Sequence, residues 1–550
     1  MNKNPGWIFM GLALIYVIGF GIDIMDIDAA QYASMSREML ESGNYLQVYD
    51  LGKDYLDKPP FLIWISAMSM KIFGVNNFAY RLPSFLFSLL AILSTYRFSR
   101  IFYDRSTSTF AAIILASCQA FFLINHDIRT DTILMSWVIF SLWQLAAWFN
   151  NGKFFHFVLG CAGIACGMMT KGPIALIVPL FAFGSHFLLQ RNFSVFFKWQ
   201  YIAGIFIIAI LLLPMCTGLY QQFDLHPEKI VNKKTGVSGL RFFFWTQSFG
   251  RITGESDWNN KSNIFFLLQN MLWSFLPWIL FFLIALLSDI KNIIQQRFGL
   301  LKGQEAITIG GFILTYLSLG LSKYQLPHYI FVVFPLAAII TAKFLNRLIF
   351  EKKHALLHNI LVNIHFVIFC LLWVGLIGLL FYCFDSIPVF VPIMASAFFG
   401  IFLFLFFTKK KNNLIILVIC LFSIMGINLF LNGSFYPALL RYQMGNVAGK
   451  WIHQQKIPAN NIFIYQYEDF RSLDFYARAI IQHKDSLNQF AAGDWIITGE
   501  EKLIDLTSAQ IKYDRVYEGK SFRVARLSFK FLLPKTREKQ LAPYVIIKIK

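Results

Sequence analysis

The sequence predicts an α-helical polytopic membrane protein that ends in a small external α/β domain. Three observations carry this. Of the 550 residues 57% are hydrophobic and 61 are Phe. The mean hydropathy is +0.56, and no soluble surface is built from such a composition. Apolar runs long enough to cross a hydrocarbon layer of about 30 Å recur along most of the chain. Backbone amides in lipid must be satisfied within the segment, and the two-residue alternation of a lipid-facing barrel is missing, so the runs are expected to be helices.

In chain order the predicted spans fall near 7–25, 78–101, 107–125, 132–149, 155–170, 173–190, 201–220, 264–288, 306–322, 328–346, 358–382, 389–408 and 413–432, about thirteen in all. The first begins after six residues and runs into acidic sequence with no small-residue cleavage site, which reads as an uncleaved anchor. Basic residues set the orientation. With a cytoplasmic N-terminus the inside connections carry Lys3; Arg97, Arg100 and Arg105; Lys153; Arg191 and Lys198; Lys291, Arg297 and Lys302; Lys343, Arg347, Lys352 and Lys353; and Lys409, Lys410 and Lys411. The short outside connections hold only Arg129, Lys171 and Lys323. Thirteen crossings then leave the C-terminal segment outside. The net charge of +19 is therefore read as a topology signal and gives no reason to expect nucleic acid.

The seven cysteines lie in or beside apolar spans, the external C-terminal segment has none, and small apolar core residues are the expected reading. Two domains are expected, a transmembrane domain over 1–440 and a small α/β domain over 441–550. Three substantial pieces share the outer face. In 26–77, AAQYASMSREMLESG and KPPFLIWISAMSMKIFG have helical apolar spacing but are too short to cross, so both are expected to lie at the interface. The loop 221–263 is long and polar with the aromatic centre FFFWTQSFGRITG, a length that is usually functional. In 445–550 short strands such as NIFIYQY and DWIITG alternate with helical segments.

A charge beside an apolar span is costly unless paired or functional. Asp28 follows the first span, Asp57 and Lys58 precede two prolines, Arg129 and Asp131 open the fourth span, Lys171 sits in MMTKGPIAL, Arg251 in SFGRITG, and Lys323 with Tyr324 in LSKYQLPHY. All are predicted to face one compartment, and that convergence points to chemistry at the membrane surface. Each has a plain alternative. Asp28 and Asp131 fit helix N-caps, Arg129 a headgroup anchor, Asp57 and Lys58 interfacial charges, and Lys171 a snorkelling lysine. His328 and His226 read as local hydrogen-bonders, since no second ligand stands at metal spacing.

Taken together, DAAQYASMSREML (with Asp28 and Tyr32), LDKPPFLIW, RTDTILMSW, TKGPIALIVP, FGRITG and SKYQLPHYIFVVFPLAA resemble the GT-C membrane glycosyltransferases of the family 39 type, which include protein O-mannosyltransferases and lipid A aminoarabinose transferases. The resemblance covers the first ten spans well and the C-terminal domain more loosely. It implies a GT-C fold in a bacterial inner membrane and a sugar carried on undecaprenyl phosphate. It further implies a hexosyl or pentosyl transfer, on the periplasmic face, to an acceptor such as lipid A or another glycan. On matching positions it implies Asp28 and Asp131 as the catalytic carboxylates of the first two outer loops. Lys58 and Arg251 fall at the donor phosphate with Tyr324 a third contact, and Tyr32, Asp57, Arg129, Lys171 and Lys323 complete the substrate site. Where the family often has Asp-Glu, this chain has Asp28-Ala29; Asp57 fills the acidic position that some relatives offer to a metal, but Thr246 stands where their His would be, so no cofactor is assigned and a divalent metal is kept as the alternative. A polyprenyl-lipid flippase and a protein O-glycosyltransferase are the competing readings. The spans show neither the two matching halves nor the paired broken helices of a transporter.

Overall fold

A computed structural model describes residues 5–26, 28–231, 234–247, 250–253, 255, 260, 262–301, 303–351, 354–409, 412–468 and 470–550. Of the basic residues used for the orientation, Lys3, Lys302, Lys352, Lys353, Lys410 and Lys411 lie outside these. Each of the thirteen apolar runs is helical. Among the described residues eight helices are long and apolar enough to cross a membrane: Asn77–Phe102, Thr130–Asn151, Phe154–Lys171, Gln200–Asp224, Pro327–Phe350, Ala355–Tyr382, Phe390–Thr408 and Ile415–Leu440.

The other five runs form shorter helical pieces, for local reasons. The run at 107–125 is divided at Cys118, whose backbone is extended, into Arg105–Ser117 and Gln119–Ile124. The run at 264–288 is divided into Phe266–Ser274 and Ile279–Gln295 around Pro277, which has no N–H to donate and steers the residue before it out of the helical region. Gly6–Gly21, Ile174–Leu189 and Ile307–Gly320 are uninterrupted but short. Helix Pro327–Phe350 is the centre of the bundle, with 89% of its apolar window buried, whereas Gln200–Asp224 buries only 22% and turns the rest of its Ile and Leu side chains outward.

Helices Thr130–Asn151 and Phe154–Lys171 form a hairpin closed at Gly152, which takes the left-handed backbone (φ 71°) that glycine adopts without strain. Small residues draw the pair together: a Cβ at Gly160 or Gly163 would lie 2.7 Å from Leu145 or 3.0 Å from Phe140. One helix runs away from the site for about the distance the other runs back, so Asp131 in the first turn of one meets Lys171 in the last turn of the other.

The segment 26–77 contains the two expected helices, Asp28–Ser42 and Phe61–Phe73, joined by a small antiparallel hairpin of β1 (Tyr49–Asp50) and β2 (Lys53–Asp54). The C-terminal segment contributes β3 (Ile462–Ile464), β4 (Gln482–His483), β5 (Trp495–Gly499), β6 (Tyr513–Ser521) and β7 (Ala542–Ile549) to one sheet, in the order β4-β3-β5-β7-β6. β3 pairs in parallel with β4 and β5, and β7 is antiparallel to β5 and β6. Helices Met444–Gln454 and Arg471–Ala477 pack on one face through Ala448, Ile452 and Leu473, and Leu503 and Leu506 cover the other.

This C-terminal unit grips the strand of chain that leads to Asp28. Gln443 accepts the Asp26 N–H at 2.8 Å, Ser472 donates from its backbone and hydroxyl to the Asp26 carboxylate at 3.2 and 3.1 Å, and Tyr476 accepts the Ile24 N–H at 2.8 Å. Lys450 pairs with Asp23 at 2.5 Å. From the bundle side, the fully buried Arg81 donates to the carbonyls of Phe20, Ile22, Asp23 and His126. One guanidinium thus donates to four carbonyls and ties the approach to Asp28 to the turn that leads to Arg129.

His126 in that turn is sealed off beside Tyr436, with ring centroids 4.7 Å apart. Burial, helped by the Arg81 charge, lowers its pKa from the ordinary 6.5 to about 3. The unfolded chain therefore takes up this proton first, so the stabilising effect of a neutral His126 is complete above about pH 6.5 and fades toward pH 3. We expect a loss of about 2 kcal/mol by pH 5, read as a fall in the thermal unfolding temperature of the solubilised protein between pH 7 and pH 5. His126→Gln flattens that slope.

Candidate active site

A cavity of about 310 Å³ opens where the first loop, the two hairpin ends and the start of helix Pro327–Phe350 converge. It is lined by Asp28, Tyr32, Asp57, Lys58, Arg129, Asp131, Lys171 and Tyr324, together with Gln31, Tyr55, Thr130, Leu326, His328 and Tyr329. Eight of the ten residues singled out in the sequence therefore meet in one place, drawn from segments more than 290 positions apart.

Two linked ion-pair systems build the floor. Arg129 donates from Nη1 to Asp28 Oδ2 and from Nε to Asp127 Oδ2, both at 2.9 Å. Burial works against this guanidinium, but the Asp127 and Asp28 carboxylates outweigh it and hold its pKa above the usual arginine range. The same Nη1 lies 3.3 Å from His328 Nδ1. A guanidinium only donates, so Nδ1 accepts and the ring N–H stands on Nε2, which faces Asp131 Oδ2 at 3.6 Å. The other Asp131 oxygen accepts from Lys171, whose ammonium also sits 4.0 Å above the Tyr329 ring.

Exposure separates the carboxylates. The Asp131 side chain is 2% exposed and closed in by Lys171 and His328, while that of Asp28 is 36% exposed at the cavity wall. The Asp28 carboxylate is open to the cavity, and that of Asp131 is covered by the groups it holds. Asp28 also stands in the first turn of helix Asp28–Ser42, where the helix dipole favours negative charge. Tyr32 and Tyr55 on the same wall are kept as neutral phenols, because burial pushes both pKa values up, helped at Tyr32 by the Tyr55 phenol and then Asp28, and at Tyr55 by Asp57, Asp50 and Asp28.

Lys58 is fixed by Pro59 and Pro60 just before helix Phe61–Phe73. The adjoining Asp57 carbonyl accepts from Gln247, so the aromatic segment of the long loop 221–263 is tied to the Lys58 turn. Arg251 lies in helix Gly250–Thr253 four residues further on, and its side chain is outside the described residues. Lys323 differs from expectation: its side chain is exposed and does not line the cavity. Ser322 donates to the Tyr324 carbonyl at 2.9 Å and Gln325 to the carbonyls of Gly320 and Ser322, folding a tight turn that gives Tyr324 to the cavity instead. Arg129, a headgroup anchor on the plain reading of the sequence, is instead the buried link between two carboxylates. Asp127, Gln31, Tyr55 and Tyr329 were not foreseen; only the Asp-x-Arg-x-Asp spacing of 127, 129 and 131 could have pointed to the first of them.

Among the described residues no three His, Cys, Asp or Glu side chains gather around a point that a metal ion could occupy. Thr246, next to the Gln247 that meets Asp57, adds no ligand of the kind a divalent ion needs there. The residues present do not fit a metal centre.

The chain resembles known proteins at several levels. The family model of dolichyl-phosphate-mannose-protein mannosyltransferases matches residues 57–217. Two curated relatives are undecaprenyl phosphate-α-4-amino-4-deoxy-L-arabinose arabinosyl transferases. That of Edwardsiella ictaluri is 28% identical over 66% of this chain and 64% of its own length. That of Wigglesworthia glossinidia brevipalpis is 26% identical over 98% of this chain and 90% of its own. The first relatives are thus matched over only about 60% of their length. Among solved structures, ArnT from Cupriavidus metallidurans bound to undecaprenyl phosphate superposes with a TM-score of 0.74 at 16% identity, covering 99% of this chain and 98% of ArnT. The Archaeoglobus fulgidus oligosaccharyltransferase gives a TM-score of 0.52 at 12% identity over 90% of this chain and 70% of its own. The chain is therefore a multi-pass membrane protein with the GT-C fold.

Proposed function

We propose that this protein transfers a sugar from a polyprenyl phosphate, undecaprenyl phosphate in a bacterial inner membrane, to a glycolipid acceptor of the lipid A kind. The observation that carries the reading is the pairing, in one cavity, of the half-exposed Asp28 with Lys58 held on a rigid turn. The names of the curated relatives support the carrier and an aminopentose as the sugar. The proposed orientation, with the N-terminus cytoplasmic and the C-terminal domain, over 441–550, periplasmic, is supported by the basic residues that gather in alternate connections of the sequence.

In the proposed reaction an acceptor oxygen attacks the anomeric carbon, the bond from that carbon to the phosphate oxygen breaks, and the electron pair leaves with the polyprenyl phosphate. Asp28 takes the proton when the acceptor is a hydroxyl. Where the acceptor is a phosphate, Asp28 faces the cationic sugar instead. Lys58 meets the leaving phosphate, with Arg251 from the long loop as the second cation. Arg129 and Lys171 are already engaged in ion pairs with Asp28, Asp127 and Asp131, so their part is to hold Asp28 and Asp131 in place. The phenols of Tyr32 and Tyr55 are donors for sugar hydroxyls.

The test is reconstitution in vesicles with an undecaprenyl-phosphate sugar and a lipid A acceptor, followed by mass spectrometry of the product. Movement of the donor across the bilayer with no transfer would refute the enzyme reading. Lys58→Met is expected to weaken undecaprenyl phosphate binding by about ten- to a hundredfold, the worth of one charge-assisted hydrogen bond, measured by native mass spectrometry of lipid retained by the purified protein.

A further inference from the structure

Between β6 and β7 the chain leaves the C-terminal sheet and returns to the edge of the bundle. From Ser521 to Arg537 it reads SFRVARLSFKFLLPKTR, with Arg523, Arg526, Lys530, Lys535 and Arg537 and no acidic residue. We infer that this segment is a docking surface for anionic lipid headgroups, set at the mouth of a second cavity that leads to Asp28.

Its inner face fixes its height. Phe531 is fully buried and stacks on Phe522 with ring centroids 3.7 Å apart, against Tyr442 and Phe384 at 5.3 and 6.3 Å. Phe522, Val524 and Phe531 belong to the same apolar cluster as the spans. The buried Arg537 donates to the Phe531 carbonyl at 3.0 Å, to the Tyr442 hydroxyl at 3.2 Å and to the Cys383 carbonyl. Cys383 and Phe384 directly follow helix Ala355–Tyr382, so the segment is pinned where that span ends.

The outer face has no protein to cover it. Phe529 is 84% exposed, Leu533 55% and Leu527 42%, and the exposed Arg523, Arg526, Lys530 and Lys535 stand among them. A solvated domain surface does not gather three large apolar side chains on one short stretch. Apolar side chains at the end of a span, interleaved with cations and without a carboxylate, are what an interfacial segment needs. The apolar groups enter the headgroup region and the cations meet lipid phosphates. The charge complement selects a negatively charged leaflet over a neutral one.

Phe522, Arg523 and Val524 also line a cavity of about 470 Å³ whose other walls include Asp28, Gln31 and Arg471. Asp28 and Gln31 are shared with the active-site cavity. On the transferase reading, a phosphate-bearing acceptor lipid held at this surface approaches Asp28 through this second cavity, which Lys58 does not line; the docking itself does not depend on that reading.

Hydrogen exchange of the full-length protein in nanodiscs tests it without any transfer assay. Amides of residues 525–533 are expected to exchange several-fold more slowly in phosphatidylcholine containing phosphatidylglycerol than in phosphatidylcholine alone. The difference should vanish in Arg526→Glu/Lys530→Glu, whose side chains are exposed. It should also vanish for the wild type in high salt, where surface charges are screened, a control that needs no variant. Retention of phosphatidylglycerol by the double variant should fall by roughly tenfold or more. Equal exchange in the two lipids at low salt, whether both fast or both slow, would overturn the proposal.

Discussion

Asp28→Asn is expected to lower the transfer rate by about a hundredfold to ten-thousandfold while leaving the protein folded. The amide has the shape of the carboxylate and keeps an oxygen for the Arg129 bond at 2.9 Å, so the ion-pair floor loses charge but not geometry. What is lost is the anionic oxygen pair of Asp28, which lies at the wall and is 36% exposed. Asp131 cannot replace it, since Lys171 and His328 occupy its two oxygens. Asp127 is 6% exposed behind Arg129 and cannot reach an acceptor either. The measurement is a single-turnover rate in reconstituted vesicles with donor in excess, which separates the chemical step from donor binding. A variant that keeps half the wild-type rate would sink the role of Asp28, and the search would move to Asp57 on the same wall. Arg129 gives a second reading of the same point. With the neutral amide in place Arg129 faces one carboxylate instead of two, so thermal stability should change by no more than about 1 kcal/mol for a part-exposed pair.

Much of this site was legible because a membrane protein has few places to put a charge. Asp28, Lys58, Arg129, Asp131, Lys171 and Tyr324 each interrupt an apolar stretch, and the distribution of basic residues along the chain is enough to assign all of them to one face. Pairing was not legible. His328 meets Arg129 across 199 residues of sequence, and the contact depends on how helix Pro327–Phe350 is set at the bundle centre, which no local pattern records. Lys323 and Tyr324 show the reverse limit. Adjacent in sequence, they are divided by a turn built from Ser322 and Gln325, and only one of the two faces the cavity. The helices followed hydropathy, but their continuity did not: an extended residue at Cys118 and a proline at 277 divide two runs that hydropathy alone reads as single crossings. In sequence alone the basic run after β6 reads more readily as a solvated domain face than as a lipid contact, because the stacking of Phe522 on Phe531 that sets its height is a tertiary feature.

Asp131→Ala tests the other half of the floor. Removing this carboxylate leaves the Lys171 ammonium, 13% exposed, with the Tyr329 ring but without the anion at its tip, and leaves the His328 N–H facing a void. Breaking one partner of a buried pair costs about 3 to 5 kcal/mol, far more than the loss of a surface charge, so the thermal unfolding temperature should fall sharply. The double variant Asp131→Leu/Lys171→Met is expected to regain most of that stability, because two apolar side chains of similar size remove the uncompensated charge along with its partner. Activity should not return with it. Lys171 and Asp131 hold His328, His328 meets Arg129, and Arg129 sets Asp28, so a repacked floor lets the carboxylate drift; a misplacement of about 1 Å can cost on the order of a hundredfold in rate. A stable, inactive double variant that still retains undecaprenyl phosphate would separate positioning from folding and from donor binding. A double variant as active as the wild type would show that Asp28 is held by Arg129 and Asp127 alone, and a single variant of wild-type stability would show that the Asp131–Lys171 pair is not closed off from water.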